Sequence, residues 1–197
     1  NGKTHQAVWF QEAGSSKGAY YRLDGQSLRR AYLSSPVEFS RISSGFSMRF
    51  HPVLQKWRAH LGTDFAAPTG TTVRTVGDGV VEFAGVQNGF GNVLFIKHRN
   101  EHVTVYAHLS RIDVHANQTI AQGQTVGAVG STGWATGPHL HFEFRVNGEQ
   151  VDPMTIAQQS ESATPVSAAA RPAFNQLSAV MRTQLDSADL IQQASAE

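Results

Sequence analysis

The chain has 197 residues, enough for one domain with a sizeable hydrophobic core and additional segments. Its formal net charge of +1 gives no electrostatic reason to expect a nucleic-acid partner, and no run approaches the roughly 20 apolar residues of a membrane span. The lack of cysteine excludes a thiolate-rich structural metal site and is compatible with an oxidising compartment.

The first 35 residues are interpreted as the end of a preceding module. They contain two short strand candidates, at 7–10 and 19–23, too little to form a hydrophobic core alone. The chain begins at Asn1 without a leader-like pattern, so we expect it to be a processed or trimmed piece of a longer protein.

The middle of the chain is dominated by short strands. Residues 43–52, rich in serine and containing glycine and proline, are predicted to form a loop. The strand candidates that follow are Thr71–Val76, Val80–Ala84, Val93–Lys97, Val103–Ala107, Thr125–Val129 and Leu140–Val146. Glycine- and asparagine-rich turns separate them without intervening helices. This pattern predicts a mainly β, antiparallel domain over residues 36–155.

The composition changes after Asp152-Pro153. Residues 157–171 are rich in Ser, Ala, Gln and Pro, which is typical of a linker. Pro172 suits the first turn of a helix, and apolar residues then recur at positions 174, 177, 181, 185 and 188. We therefore predict that residues 156–197 form a linker and an amphipathic C-terminal helix, which docks on the domain or on a neighbouring molecule.

The segment 137–146 carries the strongest functional signal. As a strand with a two-residue period, it places on one face Leu140, Phe142, Phe144 and Val146. The opposite face carries His139, His141, Glu143 and Arg145. Two imidazoles side by side on the polar face serve no packing purpose, so we predict a functional role for the pair.

His60 and Asp64 form a second cluster. They share a face if their segment is extended, and this residue pair suits a divalent ion such as zinc. A third ligand would come from either His139 or His141, and the spacing does not decide between them. Three protein ligands leave a coordination position open, which is typical of a catalytic rather than a structural zinc site.

His108 is a further candidate, since it is predicted to end a strand at the rim of the sheet, where a base can reach a substrate. On the residues alone, its functional and structural interpretations are balanced. A structural role is expected for His5, His51, His98, His102 and His115.

Two competing patterns are rejected. Residues 98–102 match the H-x-x-E-H pattern of a helical zinc peptidase class, but strands flank them directly, so we predict a hairpin turn. Residues 80–85 and 119–127 are similar to biotinyl and lipoyl carrier domains, but no lysine stands at an exposed hairpin tip.

Three motifs in this order resemble the lysostaphin-like, or M23, family of zinc peptidases that cut peptidoglycan cross-bridges. They are His60-Leu61-Gly62-Thr63-Asp64, Tyr106-Ala107-His108-Leu109 and Gly137-Pro138-His139-Leu140-His141-Phe142-Glu143. The resemblance covers about residues 36–155. The segment from Arg41 through Pro52, followed by Trp57-Arg58-Ala59, is more similar to Gram-negative murein DD-endopeptidases. There, a membrane-proximal or inhibitory module precedes the peptidase domain, and residues 1–35 resemble its end.

The resemblance implies a lysostaphin-like fold with Zn²⁺ bound by His60, Asp64 and His141. It implies His108 and His139 as the catalytic histidines, and so decides between His139 and His141. All five family positions are retained, which favours an active enzyme over degenerate relatives that only bind and activate amidases.

The implied substrate is the peptide stem of peptidoglycan, at the D-alanine to diaminopimelate cross-link, in the periplasm or elsewhere in the cell envelope. An open groove would suit this branched substrate, and its expected walls are Arg49, Phe50, residues 88–90 and residues 131–134. Contact with a preceding inhibitory module is a further expectation. The alternatives are a non-catalytic module of the same fold that binds the cell wall or activates a hydrolase, and an enzyme held latent by residues 1–35 or by the helix at 172–190.

Overall fold

The computed structural model describes residues 6–15, 18–38, 40–51, 56–159 and 164–194. Only the backbone is described at 48–51, 56–59, 157–159 and 188–194. The strands are β1 (Val8–Phe10), β2 (Ala19–Tyr21), β3 (Arg41–Ser44), β4 (Ser47–His51), β5 (Lys56–His60), β6 (Thr63–Ala66), β7 (Thr72–Arg74), β8 (Gly79–Gln87), β9 (Gly91–Lys97), β10 (His102–Ile112), β11 (Thr119–Ile120), β12 (Thr125–Val129), β13 (His139–Val146) and β14 (Glu149–Val151). The helices are α1 (Pro153–Gln159) and α2 (Arg171–Ala194).

The chain divides into two compact units, one of residues 32–160 and one that combines residues 1–31 with 161–197. The larger unit is built on a ten-stranded sheet in the order β11-β8-β9-β10-β13-β6-β3, with β12 paired to β10 and β7, and β14 paired to β13. Its recorded strand pairs are antiparallel. The predicted mainly β, antiparallel fold with a C-terminal helix is confirmed.

The central strands of this sheet are buried because their sequences are almost continuously apolar. Side chains that are fully inaccessible to solvent include Val93, Leu94, Ile96, Val105, Tyr106, Leu109 and Leu140. On β13 the apolar face packs in the core as the two-residue period predicts, with Phe142 and Phe144 almost fully buried. The middle of the polar face is buried as well, since His141 is 9% and Glu143 is 4% exposed.

The prediction of a loop at 43–52 is wrong. Ser43 and Ser44 belong to β3, which pairs with β6 through Ile42 and Phe65, and residues 47–51 form β4, which pairs with β5. Pairing between strands therefore overrides the local preference of serine and glycine for turns, with β6 in the case of β3 and with the next strand, β5, in the case of β4.

Residues 98–102 form the turn between β9 and β10, so the rejection of a helical zinc motif is confirmed. Asn100 and Glu101 have φ angles of 57° and 55°, which lie in the left-handed region. The His98 N–H donates to the His102 carbonyl at 2.8 Å and closes the hairpin.

Helix α1 follows β14 directly and was not predicted. Asp152 caps it, since its Oδ1 accepts the Met154 N–H at 2.9 Å and its Oδ2 accepts the Thr155 hydroxyl at 3.3 Å. Pro153 occupies the first helical position. Asp152-Pro153 therefore matches the sequence pattern typical of a helix N-terminus.

The smaller unit joins the two ends of the described chain. Helix α2 confirms the predicted amphipathic helix, and its Phe174 is fully buried in a cluster with Val8, Tyr21 and Val166. The Phe174 ring makes edge-to-face contacts with Phe10 and Tyr21 at centroid distances of 5.3 and 5.8 Å. In the part of the chain with described coordinates, neither helix combines the length and apolar character of a membrane span.

A buried hydrogen-bond chain crosses the core of the larger unit. His98 Nδ1–H donates to the Asp78 carbonyl at 2.8 Å, and Nε2 is 2.7 Å from the Thr104 hydroxyl. The Thr104 hydroxyl is 3.1 Å from that of Tyr106, which accepts the Val76 N–H. Burial lowers the pKa of His98 below its usual value, so the fold favours the neutral ring.

We expect acidification to destabilise the larger unit through His98. A depressed folded-state pKa contributes stability above the unfolded pKa of about 6.5, and this contribution is lost as the pH falls through that value. Urea unfolding at about pH 7.5 and pH 5 should show a smaller loss of unfolding free energy for His98→Gln than for the unmodified chain. One titrating group can change the free energy of unfolding by at most about 1.4 kcal/mol per pH unit, which limits the difference between the two proteins. Equal losses in both proteins would refute this role.

Candidate functional site

The predicted site residues meet around β13. His141 is paired with Asp64 of β6 on one side and with Ala107 of β10 on the other. His108 follows Ala107 directly, and His139 begins β13. The sheet therefore brings residues from three separate sequence regions to one place.

Three donor atoms lie close enough to hold one ion. His60 Nε2 is 3.0 Å from Asp64 Oδ1 and 3.2 Å from His141 Nδ1, and His141 Nδ1 is 2.8 Å from Asp64 Oδ1. All three side chains are buried. Donor atoms bound at about 2.1 Å to a tetrahedral ion lie roughly 3.4 Å apart, so the observed triangle would need to open only slightly to hold one. Within the described residues this is the one group of three metal-ligating side chains with such spacing.

Residues 60–64 do not form one continuous extended strand, contrary to the premise of the sequence analysis. β5 ends at His60 and β6 begins at Thr63. A Cβ at Gly62 would lie 2.7 Å from the His141 ring and 2.7 Å from the Phe142 carbonyl oxygen. Glycine therefore allows the chain to bend tightly against His141, and the bend brings His60 and Asp64 together.

Hydrogen bonds orient the rings of the two histidines in this group. His60 Nδ1–H donates to the Gly45 carbonyl at 2.8 Å, which leaves the Nε2 lone pair directed at the site. His141 uses the opposite nitrogen, since its Nε2 is 3.2 Å from Glu143 Oε1 and its Nδ1 faces Asp64. Glu143 was not predicted as a partner of His141, although its position two residues later on the same strand face was a usable signal.

His108 lies inside β10, not at its end as predicted. The register between β10 and β9 shifts between Tyr106 and Leu109, and His108 has a φ angle of 60°. Such a left-handed conformation is unfavourable for a non-glycine residue and is typical of a bulge that redirects a functional side chain. The ring is fixed by Nδ1–H donation to the Thr132 carbonyl at 2.8 Å.

His139 is held in the same manner as His108. Its Nδ1–H donates to the Gly137 carbonyl at 2.8 Å, and its Nε2 lies 3.9 Å from Asp64 Oδ1, outside the tight donor group. The His108 and His139 ring centroids are 4.8 Å apart. The structure thus gathers all five predicted residues. His60, Asp64 and His141 form the close donor group, and the imidazoles of His108 and His139 lie beside it, each bonded to a backbone carbonyl through Nδ1 and not through Nε2.

The charges of the site follow from burial and from these contacts. Burial raises the pKa of Asp64, but its close contacts with His141 and His60 outweigh this effect and hold the pKa well below its usual range. For His141, burial lowers the pKa, while Asp64 and Glu143 raise it more, to about 9. Burial and the neighbouring His139 lower the pKa of His108 to about 4, so this imidazole is neutral at pH 7.

Two of the predicted groove-wall segments adjoin the site and each other. The Phe90 ring stacks on His141 at a centroid distance of 6.0 Å, and the Trp134 N–H donates to the Gly89 carbonyl at 2.9 Å. A Cβ at Gly133 would lie 2.4 Å from the Gly91 nitrogen, so the two loops touch through their backbones. Trp134 is 51% exposed.

The remaining groove-wall residues and histidines do not contribute to the described donor group. Arg49 and Phe50, also predicted groove walls, lie outside the residues whose side chains are described, as do His5 and His51. His98 and His102 take part in hydrogen bonds remote from the donor group, and exposed His115 contacts the Ala116 carbonyl.

Comparison with known proteins agrees with this geometry. Residues 58–153 match Peptidase family M23. The chain is 45% identical over 149 residues to a protein of Vibrio cholerae named peptidoglycan DD-endopeptidase ShyC, a match that covers 75% of this chain and 34% of that protein. The chain thus spans about a third of the length of the curated relatives that it matches.

Solved structures show the same relationship. A zinc containing peptidase from Vibrio cholerae superposes with a TM-score of 0.61 and 39% identity, over 76% of this chain and 49% of that one. A catalytic-domain mutant of the prophage-encoded M23 protein EnpA from Enterococcus faecalis gives a TM-score of 0.55 and 33% identity, over 62% of this chain and 95% of that one. With the family match spanning the donor group and both additional histidines, the chain belongs to peptidase family M23.

Proposed function

We propose that this chain is the peptidase part of a zinc-dependent endopeptidase that hydrolyses peptide cross-links of peptidoglycan, at the bond between D-alanine and diaminopimelate. The observation that carries the proposal is the buried donor triangle of His60, Asp64 and His141 with two further oriented imidazoles beside it. Three similar proteins, ShyC among them, are named peptidoglycan DD-endopeptidases, which supports the choice of substrate.

We assign the metal as zinc, with His60, Asp64 and His141 as its ligands. Two imidazole nitrogens and one carboxylate oxygen suit this ion, and one structural relative is described as zinc containing. A bound zinc ion supplies Lewis acidity, which polarises the scissile carbonyl and makes water acidic enough to act as a nucleophile near neutral pH.

His108 and His139 are assigned to proton transfer. Each donates its Nδ1–H to a backbone carbonyl, so the neutral ring carries its lone pair on Nε2. One Nε2 can then accept the proton of the attacking water and pass it to the departing amine, while the other, when protonated, donates a hydrogen bond to the developing oxyanion. The low pKa of His108 keeps it available as an acceptor at neutral pH.

The remaining assignments concern the surroundings of the site. We propose that the stem peptides lie against residues 88–90 and 131–134, and that the protein acts in the periplasm or elsewhere in the cell envelope. The division into a preceding-module remnant at 1–35, a peptidase domain at 36–155 and a linker with a helix at 156–197 remains part of the proposal. Contact with a preceding inhibitory module is also part of the proposal.

The function is tested by digestion of purified sacculi. The chain should release uncrosslinked muropeptides, detected by chromatography and mass spectrometry, and a chelator should stop the release until Zn²⁺ is restored. Intact cross-links in the presence of Zn²⁺ would favour the non-catalytic module instead.

Replacement of a ligand should remove metal and activity together. His60→Ala and Asp64→Ala each delete one of three donors, so we expect zinc content to fall from about one ion per chain and hydrolysis to reach background. Zinc is measured by atomic emission after dialysis. Either variant with full zinc content would contradict the ligand assignment.

Replacement of a proton-transfer residue should reduce activity without reducing zinc content. His108→Ala and His139→Ala should lower kcat by about 100- to 10,000-fold while zinc content stays near one ion per chain. The matched control is His115→Ala, which removes an exposed imidazole remote from the site and should leave kcat unchanged. Full turnover by either test variant would remove the role assigned to that residue.

A further inference from the structure

Glu143 is a buried carboxylate that the proposed chemistry does not use. It lies on β13 two residues after His141, so both side chains are on the same face of the strand. Its side chain is 5% exposed, well below the level usual for a glutamate.

Each of its two oxygens has a defined partner. Oε1 lies 3.2 Å from His141 Nε2, the ring nitrogen that faces away from the donor group. Oε2 accepts hydrogen bonds from Arg145 Nε at 2.9 Å and Nη2 at 2.6 Å, and Gln150 Nε2 lies at 3.5 Å.

Arg145 is itself held in place. Its guanidinium lies 5.4 Å from the centroid of the Phe95 ring, and β13 pairs with β14 so that Arg145 stands opposite Gln150. The hairpin between these strands turns through Asn147 and Gly148, both with positive φ. The short strand β14 therefore supplies a polar neighbour to the Glu143 carboxylate.

A structural role alone is a weak explanation for this arrangement. A partly buried ion pair adds little to stability compared with well-packed apolar side chains, because the charges lose part of their hydration. The geometry instead connects the ion pair to the donor group through a single imidazole. A carboxylate that accepts the N–H of a ligating histidine fixes its tautomer and orientation and increases the basicity of the nitrogen that binds the metal.

We propose that Glu143, anchored by Arg145, is a positioning residue for the metal site. It accepts the His141 Nε2–H and so presents the Nδ1 lone pair of His141 to the ion. Because Arg145 occupies Oε2, the carboxylate stays directed at the histidine. This inference rests on the proposed assignment of His141 as a zinc ligand.

The test measures Zn²⁺ affinity by competition with a chromophoric chelator. Glu143→Leu should weaken binding about 10- to 100-fold. Glu143→Gln should fall between it and the unmodified chain, because the amide oxygen can still accept the hydrogen bond but carries no charge. The matched control is Asp113→Asn, which disrupts the more exposed ion pair with Arg111 and should leave affinity unchanged.

A second measurement separates positioning from folding. Thermal unfolding in excess chelator reports the stability of each metal-free variant, and a positioning role predicts lower affinity even where this stability is retained. If Glu143→Leu does not fold, Glu143→Gln alone provides the comparison of zinc affinity with stability. Wild-type affinity in a folded Glu143→Gln or Glu143→Leu variant would overturn the inference.

The same measurements distinguish this inference from the proposed function. Graded loss of zinc affinity together with intact sacculi would reject the endopeptidase and support the role of Glu143. Zinc-dependent cleavage by the unmodified chain, together with unchanged zinc affinity in the Glu143 variants, would support the endopeptidase and reject the role of Glu143. An unmodified chain that binds no zinc would overturn both.

Discussion

The site depends on the register of β13 between its two neighbours. Antiparallel pairing places His141 opposite Asp64 on one side and opposite Ala107 on the other, and the bulge after Ala107 turns His108 to the same place. A shift of one residue in either pairing would turn the facing side chains to the other side of the sheet. The apolar face of β13 resists such a shift, because it would expose Leu140 and Phe142 and bury polar groups among apolar residues.

Much of the site could be read from the sequence because a strand has a fixed two-residue period. That period separated the core face of β13 from its polar face and placed His139 and His141 side by side. It could not decide which of them joins His60 and Asp64, since the decision rests on distances of a few ångströms between strands far apart in the chain. The family resemblance, not the spacing, supplied that choice.

Other features of the fold could not be predicted from local sequence patterns, because they depend on tertiary contacts. The bulge at His108 requires a left-handed backbone that histidine adopts only under tertiary constraint. β3 and β4 form from serine-rich sequence because β6 and β5 pair with them. The association of β1 and β2 with α2 depends on contacts between residues far apart in the chain, such as the rings of Phe10 and Phe174 with centroids 5.3 Å apart.

The supports of the five histidine and aspartate side chains differ in kind. His108 and His139 are oriented by the carbonyl oxygens of Thr132 and Gly137, atoms that every amino acid possesses. His141 is oriented by a side-chain carboxylate, which a single base change in a codon can remove. Orientation of the His108 and His139 rings is thus robust to mutation at their supporting positions, whereas that of His141 is fragile. In a lineage that loses function step by step, decay can begin at the support of His141 while all five of these side chains are still encoded.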